Sequence, residues 1–448
     1  MMMVYTQNGM HAMNFVCLLT FLVFIFIFGL IIWEKIPRMY LAICGAVFVI
    51  VLGVFDINEA INTVSWETIG FLLGMFLLVE ILVEAGFFRW VALVLAKKLN
   101  YEPIKILIFF PLLSFGLSAF VNSITVMVFL SVATLELSRL LKFDPVPVVI
   151  AEVVLANIGG AGTLVGDPPN VILGTVLGFN FNDFLIHNAP IAILAALAAL
   201  GVSFFMSKNK FLKLDYNTQL EGIKNIQPSS QIKDWFLLKL GLIGMGVALV
   251  FLIGRPLFER FGIPMHVSTS SLLPAFLILT FGGRRVYKHH FMRRIDAETI
   301  MFFIGLFIMI GALEKRFIIQ MAANFLADIF KGTTGFVSSI FWGSGIISAF
   351  VDNVPLAMAM TFIIKQSVAS KIVNGAGILV WATSLGVDLG GNLTPIGASA
   401  NVVAYSALEK EGIKIGWGRW IKLALPPGLA ALLVSYLGIL LKLHFKFY

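Results

Sequence analysis

Charge is what this chain has least of. Asp, Glu, Lys and Arg together make up 12% of its 448 residues, against about 25% in an ordinary soluble domain. So few charges cannot cover a water-facing surface, which excludes a soluble globular protein. Cysteine is almost absent too. Cys17 and Cys44 both lie in apolar runs, which excludes a disulfide framework or a thiolate metal site and reads as two small buried side chains. No G-x-x-x-x-G-K-[ST] loop occurs, so ATP-driven pumping by this chain is not expected. The six histidines, His11, His187, His266, His289, His290 and His444, form no H-E-x-x-H pair. That excludes an intramembrane metalloprotease and leaves them as interfacial side chains.

What the chain has instead is hydrophobicity, at 59% of residues and a mean hydropathy of +0.96. Spans are expected near 13–33, 39–55, 66–84, 146–178, 187–206, 235–253, 266–281, 298–313, 374–408 and 420–441, most of them close to the length that crosses a bilayer and two, 146–178 and 374–408, well beyond it. The first of these, residues 1–38 with their flanks, reads as a retained helix. It is longer than a signal-peptide core and follows no basic segment. The net charge of +8 resides in short loops between apolar runs, the positive-inside pattern, and so points to a lipid bilayer and not to nucleic acid.

Two further apolar segments, about 104–141 and 335–370, are broken midway by polar residues and carry basic residues at both ends. Lys105, Arg139 and Lys142 flank the first; Lys331, Lys365 and Lys371 flank the second. Ends that look alike around a polar middle predict re-entrant hairpins and not crossings. The longest polar stretch, 207–234, reads as a cytoplasmic linker, and 442–448 as a tail.

The chain also repeats itself. Glu67-Thr-Ile-Gly-Phe-Leu-Leu-Gly-Met-Phe76 matches Glu298-Thr-Ile-Met-Phe-Phe-Ile-Gly-Leu-Phe307 at an offset of 231, and Ser118-Ala-Phe-Val121 matches Ser348-Ala-Phe-Val351 at 230. Gly159, Gly160, Thr163, Gly166, Asn170 and Val171 recur as Gly390, Gly391, Thr394, Gly397, Asn401 and Val402, again at 231. Repeat one then covers 39–206, with a broken helix at about 146–178, and repeat two covers 235–441, with a broken helix at about 374–408. The loop 56–66 before the first copy has no Lys or Arg, whereas the loop before the second holds Arg284, Arg285, Lys288, Arg293 and Arg294. The first loop is expected outside and the second in the cytoplasm, so the copies run in opposite directions. The fold class is therefore an all-α polytopic membrane protein of about ten transmembrane helices plus two re-entrant hairpins, arranged as an inverted-topology repeat with two broken helices. That is the plan of many secondary transporters, whose sites lie where the copies meet.

The chemistry concentrates at the interruptions. Asn122, Ser123 and Thr125 occupy the first hairpin tip, and Asp352 and Asn353 the second. The first break, Asn157 to Asn170, contains four glycines and two prolines, which free backbone groups that lipid cannot satisfy. Candidate ion or substrate ligands there are Thr163, Asp167 and Asn170, with Asn392, Thr394, Ser399 and Asn401 at the second break. A half-helix starting near Pro168 would aim its positive end at an anion, while exposed carbonyls could hold Na⁺. The copies differ in charge: Asn122 corresponds to Asp352, and Asn157 to Asp388. A membrane carboxylate is expensive and therefore a functional candidate, and ionised carboxylates that bind a cation and release it when protonated suffice for H⁺ exchange. Asp167 reads as either such a group or an N-cap of its half-helix. Glu67 and Glu298 read as caps of the helices they start, Glu80 and Glu84 as a proton route or an interface pair, and Glu152 as a buried group needing a partner.

The motifs Thr163-Leu-Val-Gly-Asp-Pro-Pro-Asn170, Asp352-Asn-Val-Pro355 and Asn392-Leu-Thr-Pro-Ile-Gly-Ala-Ser-Ala-Asn401 resemble those of the ion transporter superfamily. The branch they most resemble holds arsenite permeases, NhaD-type sodium/proton antiporters and the melanosomal P protein. The resemblance implies a scaffold domain, a moving transport domain carrying both hairpins, and a homodimer. Through the dicarboxylate symporters it implies a Na⁺ site at Asn122 and Thr125, to which Asp352 and Asn353 could contribute. The expected function is a secondary active transporter working by alternating access, proton-coupled, of arsenite-permease or sodium/proton antiporter type. It needs no cofactor beyond a coupling H⁺ or Na⁺, moves a small inorganic ion or small anion, and sits by default in the plasma membrane. The alternative is a sodium-coupled dicarboxylate-type symporter. A channel is a further reading. An intramembrane aspartyl protease using Asp352 and Asp388 leaves the polar break of the first copy without a purpose.

Overall fold

The computed structural model describes residues 3–6, 9–12, 15–33, 35–212, 227–283, 286, 289–373 and 375–447. A short antiparallel ribbon pairs Met3–Thr6 with Gly9–Ala12, an element the apolar pattern does not foreshadow. Every other element is helical. Arg284, Arg285 and Lys288, and residues 213–226 of the expected linker, lie outside the described residues. The linker's first six residues continue a helix instead of leaving it.

The first half runs α1 (Phe15–Trp33), α2 (Arg38–Val51), α3 (Ile57–Thr63), α4 (Trp66–Ala85), α5 (Phe87–Lys98), α6 (Pro103–Ser118), α7 (Ser123–Leu141), α8 (Val146–Ala161), α9 (Pro168–Leu177), α10 (Phe181–His187) and α11 (Ala189–Leu212). The second runs α12 (Trp235–Arg260), α13 (Val267–Phe281), α14 (Ala297–Lys315), α15 (Ile318–Ile329), α16 (Thr333–Ser348), α17 (Asn353–Ala369), α18 (Gly377–Gly390), α19 (Ser399–Lys410) and α20 (Trp417–Phe445). From α4 and α14 onward the helix starts keep the offset seen in the motifs: 66 and 297, 87 and 318, 103 and 333, 123 and 353, 146 and 377, 168 and 399.

Among the described residues, seven helices are long and apolar enough to cross a bilayer: α1, α4, α7, α11, α12, α14 and α20. Several expected spans are shorter. The 14 residues of α2 rise about 21 Å, less than the roughly 30 Å hydrocarbon core. The segments 146–178 and 374–408 are each two helices joined by a break of turns, which in the second includes a single 3-10 turn at Gly391–Leu393. The hairpin segments are helix pairs, α6 with α7 and α16 with α17, meeting at residues 119–122 and 349–352. Helices α5 and α15, 12 residues each, fall between the expected spans because neither is long enough to cross a bilayer.

The helices before each half pack on the other half. Helix α2 lies along α14, and α13 along α4. Small residues set the approach. A Cβ on Gly74 would stand 2.5 Å from the Ser271 carbonyl carbon, and one on its counterpart Gly305 would stand 2.6 Å from that of Ala42. Such glycines let helix backbones touch where lipid offers no hydrophobic drive for association. Helices α8 and α18 are sheathed by neighbours, with almost every residue buried, and form the centre of the molecule. The cysteines divide: Cys17 is buried, but Cys44 is exposed, because it lies on the side of α2 turned away from α14.

Candidate functional site

Both breaks are held open by the same construction. Asn170 Nδ2 donates to the carbonyls of Gly160 (3.0 Å) and Thr163 (2.8 Å). Its counterpart Asn401 donates to Gly391 (2.8 Å) and Thr394 (2.7 Å). These carbonyls are the ones a broken helix leaves without partners. Thr163 Oγ1 donates to the Ala119 carbonyl at the first hairpin turn, and Thr394 Oγ1 donates to Ala349 at the second. Each break is thereby pinned to the hairpin of its own copy. The two breaks also join each other. Asn157 Nδ2 donates to Asn392 Oδ1 (2.8 Å) and Asn401 Oδ1 (3.0 Å), while Ser384 Oγ donates to Asn170 Oδ1 (2.5 Å).

Four helix N-termini then converge. Helix α7 starts after Asn122, α9 after Asp167, α17 after Asp352 and α19 after Ala398. All four starts line one cavity of about 250 Å³. Helix N-termini carry partial positive charge, which gives this cavity a positive backbone field, although Pro168 and Pro169 bring no N–H to the start of α9 and the Ser123, Ile124 and Val354 N–H groups are already bonded to side chains. Its side chains add carboxylates and cations: Asp167, Asp352, Glu80 and Asp296, with Arg38 and Arg294.

Each carboxylate has its own arrangement. Asp167 holds the N-cap position of α9 but makes no side-chain cap bond. It reaches across to the first hairpin, where Ser123 Oγ donates to Oδ1 (2.8 Å) and Oδ2 (3.0 Å), and the Ser123 N–H to Oδ1 (3.3 Å). Asp352 does cap its helix, accepting from the Val354 N–H at 3.0 Å. Its other oxygen accepts from Arg38 Nη1 (2.8 Å) and Ser399 Oγ (2.5 Å). Asp388 stands one layer deeper and is fully buried. Its Oδ1 accepts from Asn353 Nδ2 at 3.3 Å, and among the described residues its Oδ2 has no partner. Asn353 therefore links a buried carboxylate to the cavity wall.

Of the residues singled out from the sequence, Asn122, Ser123, Thr125, Asp167, Asp352, Asn353 and Ser399 meet at the cavity. Thr163, Asn170, Asp388, Asn392, Thr394 and Asn401 lie behind it, most of them bonded to backbone carbonyls. Sequence reasoning missed two charged cavity residues, Asp296 and, with more consequence, Arg38. Arg38 shares the short loop between two apolar runs with Lys35, a position that reads as an interfacial loop charge, yet it starts α2. Its guanidinium sits 5.2 Å from the Phe302 ring centroid, a cation–π distance.

Other acidic residues also find definite partners. Glu67 does not cap the helix it starts, since Ser65 does that. Glu67 Oε1 accepts from the Val267 N–H at 2.9 Å, so it caps α13 instead. Helix α14 is likewise capped by Asp296 and not by Glu298. Glu80 and Glu84 share Arg294, which is 3.5 Å from Glu80 and hydrogen-bonded to Glu84. That bond, then the carboxylate charge, raises the Arg294 pKa above its ordinary value. Glu152, fully buried, accepts from Thr134 Oγ1.

The family profile described as "Citrate transporter" matches residues 28–386. The 46 kDa membrane protein of Mycobacterium leprae is 31% identical over 422 residues, 92% of this chain and 95% of that one. An uncharacterized transporter of Mycobacterium tuberculosis is 29% identical, covering 89% of this chain and 92% of its own. The human P protein is 25% identical over 89% of this chain, which spans 57% of that larger protein. The fold is that of the Alcanivorax borkumensis YdaH transporter, with a TM-score of 0.59 at 13% identity over 97% of this chain and 99% of that one. The P protein match agrees with the superfamily resemblance in the motifs. The family profile, the Mycobacterium tuberculosis relative and the fold neighbour are all named as transporters. Taken with the apolar helices, they make this a multi-pass integral membrane protein that carries a small solute. The chain belongs to the citrate transporter family.

Proposed function

We propose that the protein moves a small carboxylate anion across the membrane by alternating access, with protons as the coupling ion and the 250 Å³ cavity as its central site. The observation that carries this reading is the convergence of four helix N-termini, two from hairpins and two from breaks, on a cavity that also holds Arg38. An anion is favoured by that field and by the guanidinium groups of Arg38 and Arg294, which stand against the Asp352 and Glu80 carboxylates on the same wall. Asp352, a ligand suggested for Na⁺ by the sequence, is already engaged by Arg38. Protons are carried on the buried carboxylates Asp167 and Asp388, whose protonation offsets their repulsion of an anionic cargo. The two copies sit in opposite orientations, and the hairpins and breaks, tied together by Thr163 and Thr394, move as one body.

Sodium/proton exchange is the second reading, favoured by the amide and hydroxyl groups of Asn122, Thr125 and Asn353 along the same wall. Flux into proteoliposomes under an imposed pH gradient separates the two, with citrate, succinate, arsenite, Na⁺ and Li⁺ as test solutes. The proposal expects saturable, gradient-dependent carboxylate flux whose proton dependence weakens in Asp167→Asn and Asp388→Asn. Transport of Na⁺, Li⁺ or arsenite with no carboxylate flux would overturn it.

A further inference from the structure

Arg38 touches three elements at once. It is the first residue of α2, which packs along α14, and it stacks on Phe302 of α14. From there Nη1 donates to Asp352 Oδ2 at the cap of α17 (2.8 Å) and to Ser399 Oγ at the start of α19 (3.1 Å). One guanidinium thus ties the second hairpin and the second break to the α2–α14 pair. Among the described residues the first copy has no such tie. There Asn122 replaces Asp352 and caps Ile124 at 2.9 Å, and α13 starts at Val267, where α2 starts at Arg38.

The tie is incomplete as a hydrogen-bonding arrangement. A guanidinium carries five N–H donors in a planar fork that matches a carboxylate in bidentate fashion. Among the described residues only Nη1 of Arg38 is bonded, to one oxygen of Asp352 and one of Ser399. Arg38 lines the cavity, and its side chain keeps 33% of its exposure against 13% for Asp352. The pair is therefore a single-point contact with donors in reserve, beside a space sized for a small anion. A carboxylate entering that space can offer the fork two oxygens where Asp352 offers one.

We propose that Arg38 binds the carboxylate of the transported anion, which takes the guanidinium from Asp352 and so frees the second hairpin from α2. This rests on the carboxylate reading of the cavity. It makes Arg38 the specificity-determining cation, and its exchange of partners the event that lets a loaded carrier move while an empty one stays tethered.

The test uses the full chain in lipid nanodiscs. Citrate and succinate binding is measured by calorimetry for the wild type, Arg38→Gln, Arg38→Lys and Asp352→Asn. The tether is read from the distance between spin labels on native Cys44 of α2 and on Ala369→Cys of α17, in a Cys17→Ser background. Arg38→Gln is expected to weaken binding of both anions about 10- to 100-fold, the scale of one charge-assisted hydrogen-bonded contact, with Arg38→Lys between it and the wild type. Asp352→Asn is expected to tighten binding, because the competing carboxylate is gone. A purely structural contact would not produce that gain. Citrate should broaden or shift the label distance in the wild type, and Asp352→Asn should do so without citrate. Equal affinity in Arg38→Gln and the wild type, or weaker binding in Asp352→Asn, overturns the proposal while leaving carboxylate transport standing. A wild type that binds neither anion overturns both. The Arg38→Lys and Asp352→Asn arms decide the matter if Arg38→Gln does not fold.

Discussion

Asn401→Ala tests the construction that keeps the second break open. The substitution removes the amide that donates to the Gly391 and Thr394 carbonyls at 2.8 and 2.7 Å. It also removes the acceptor of one of the two Asn157 bonds. Asn401 is fully buried, so water cannot take over. Leaving a buried group unsatisfied costs about 1–3 kcal/mol. Side-chain hydrogen bonds in membrane proteins average about 0.6 kcal/mol and reach about 1.7, because the unfolded chain in lipid also finds partners. Two orphaned carbonyls then amount to about 1–4 kcal/mol of lost stability, centred near 2. Reversible unfolding in mixed SDS and dodecylmaltoside micelles reads this directly. Asn170→Ala should lose the same amount, since it makes the same two bonds to Gly160 and Thr163. Wild-type stability in either variant, or a loss confined to one of them, would refute the claim that both breaks rest on the same brace.

Four other outcomes are expected. Gly397→Ala should abolish folded protein in fluorescence-detected size-exclusion chromatography, because its Cβ would lie 2.5 Å from the Gly391 carbonyl oxygen and 2.9 Å from that of Ser348, neither of which can turn aside. Gly343→Ala, in open space on α16, should instead keep or raise stability by up to about 1 kcal/mol. Glu152→Gln should change the unfolding free energy by less than about 1 kcal/mol, since the side chain's partner is a hydroxyl and a neutral amide can serve it; a loss of several kcal/mol would show that a charge is required there. Trp381→Ala should cost about 3–5 kcal/mol in the same unfolding measurement, because the ring is buried among Phe179, Phe184 and His187 with centroids 5.1 Å away.

The breaks were legible because backbone demands are written in residue type. Glycine, proline and asparagine at a constant offset mark where a helix stops and restarts, and the structure places α8, α9, α18 and α19 around those marks. The caps were less legible. Glu67 sits where a helix starts, but which helix it caps depends on packing between distant segments, and only the fold brings Val267 to it. Asp167 offered two readings, and the fold turns its carboxylate away from its own helix toward Ser123. Arg38 carried no local signal at all. Two basic residues between apolar runs, Lys35 and Arg38, fit positive-inside topology, and the importance of Arg38 comes from Asp352, 314 positions later. Helices α5 and α15 are amphipathic but only 12 residues long, too short for a search for bilayer-length apolar runs to register.

The crossing of α2 onto α14 and of α13 onto α4 has a consequence for how the protein is made. As the chain emerges from the ribosome, α4 enters the membrane with its Gly74 face open, and the helix that fills it is synthesised nearly 200 residues later. Helix α2 waits longer still for Gly305. Neither half can complete its packing alone, so the product of a gene split at the linker should survive only when both pieces are expressed together. During synthesis the first half presents an unfilled groove to the insertion machinery until its sibling arrives.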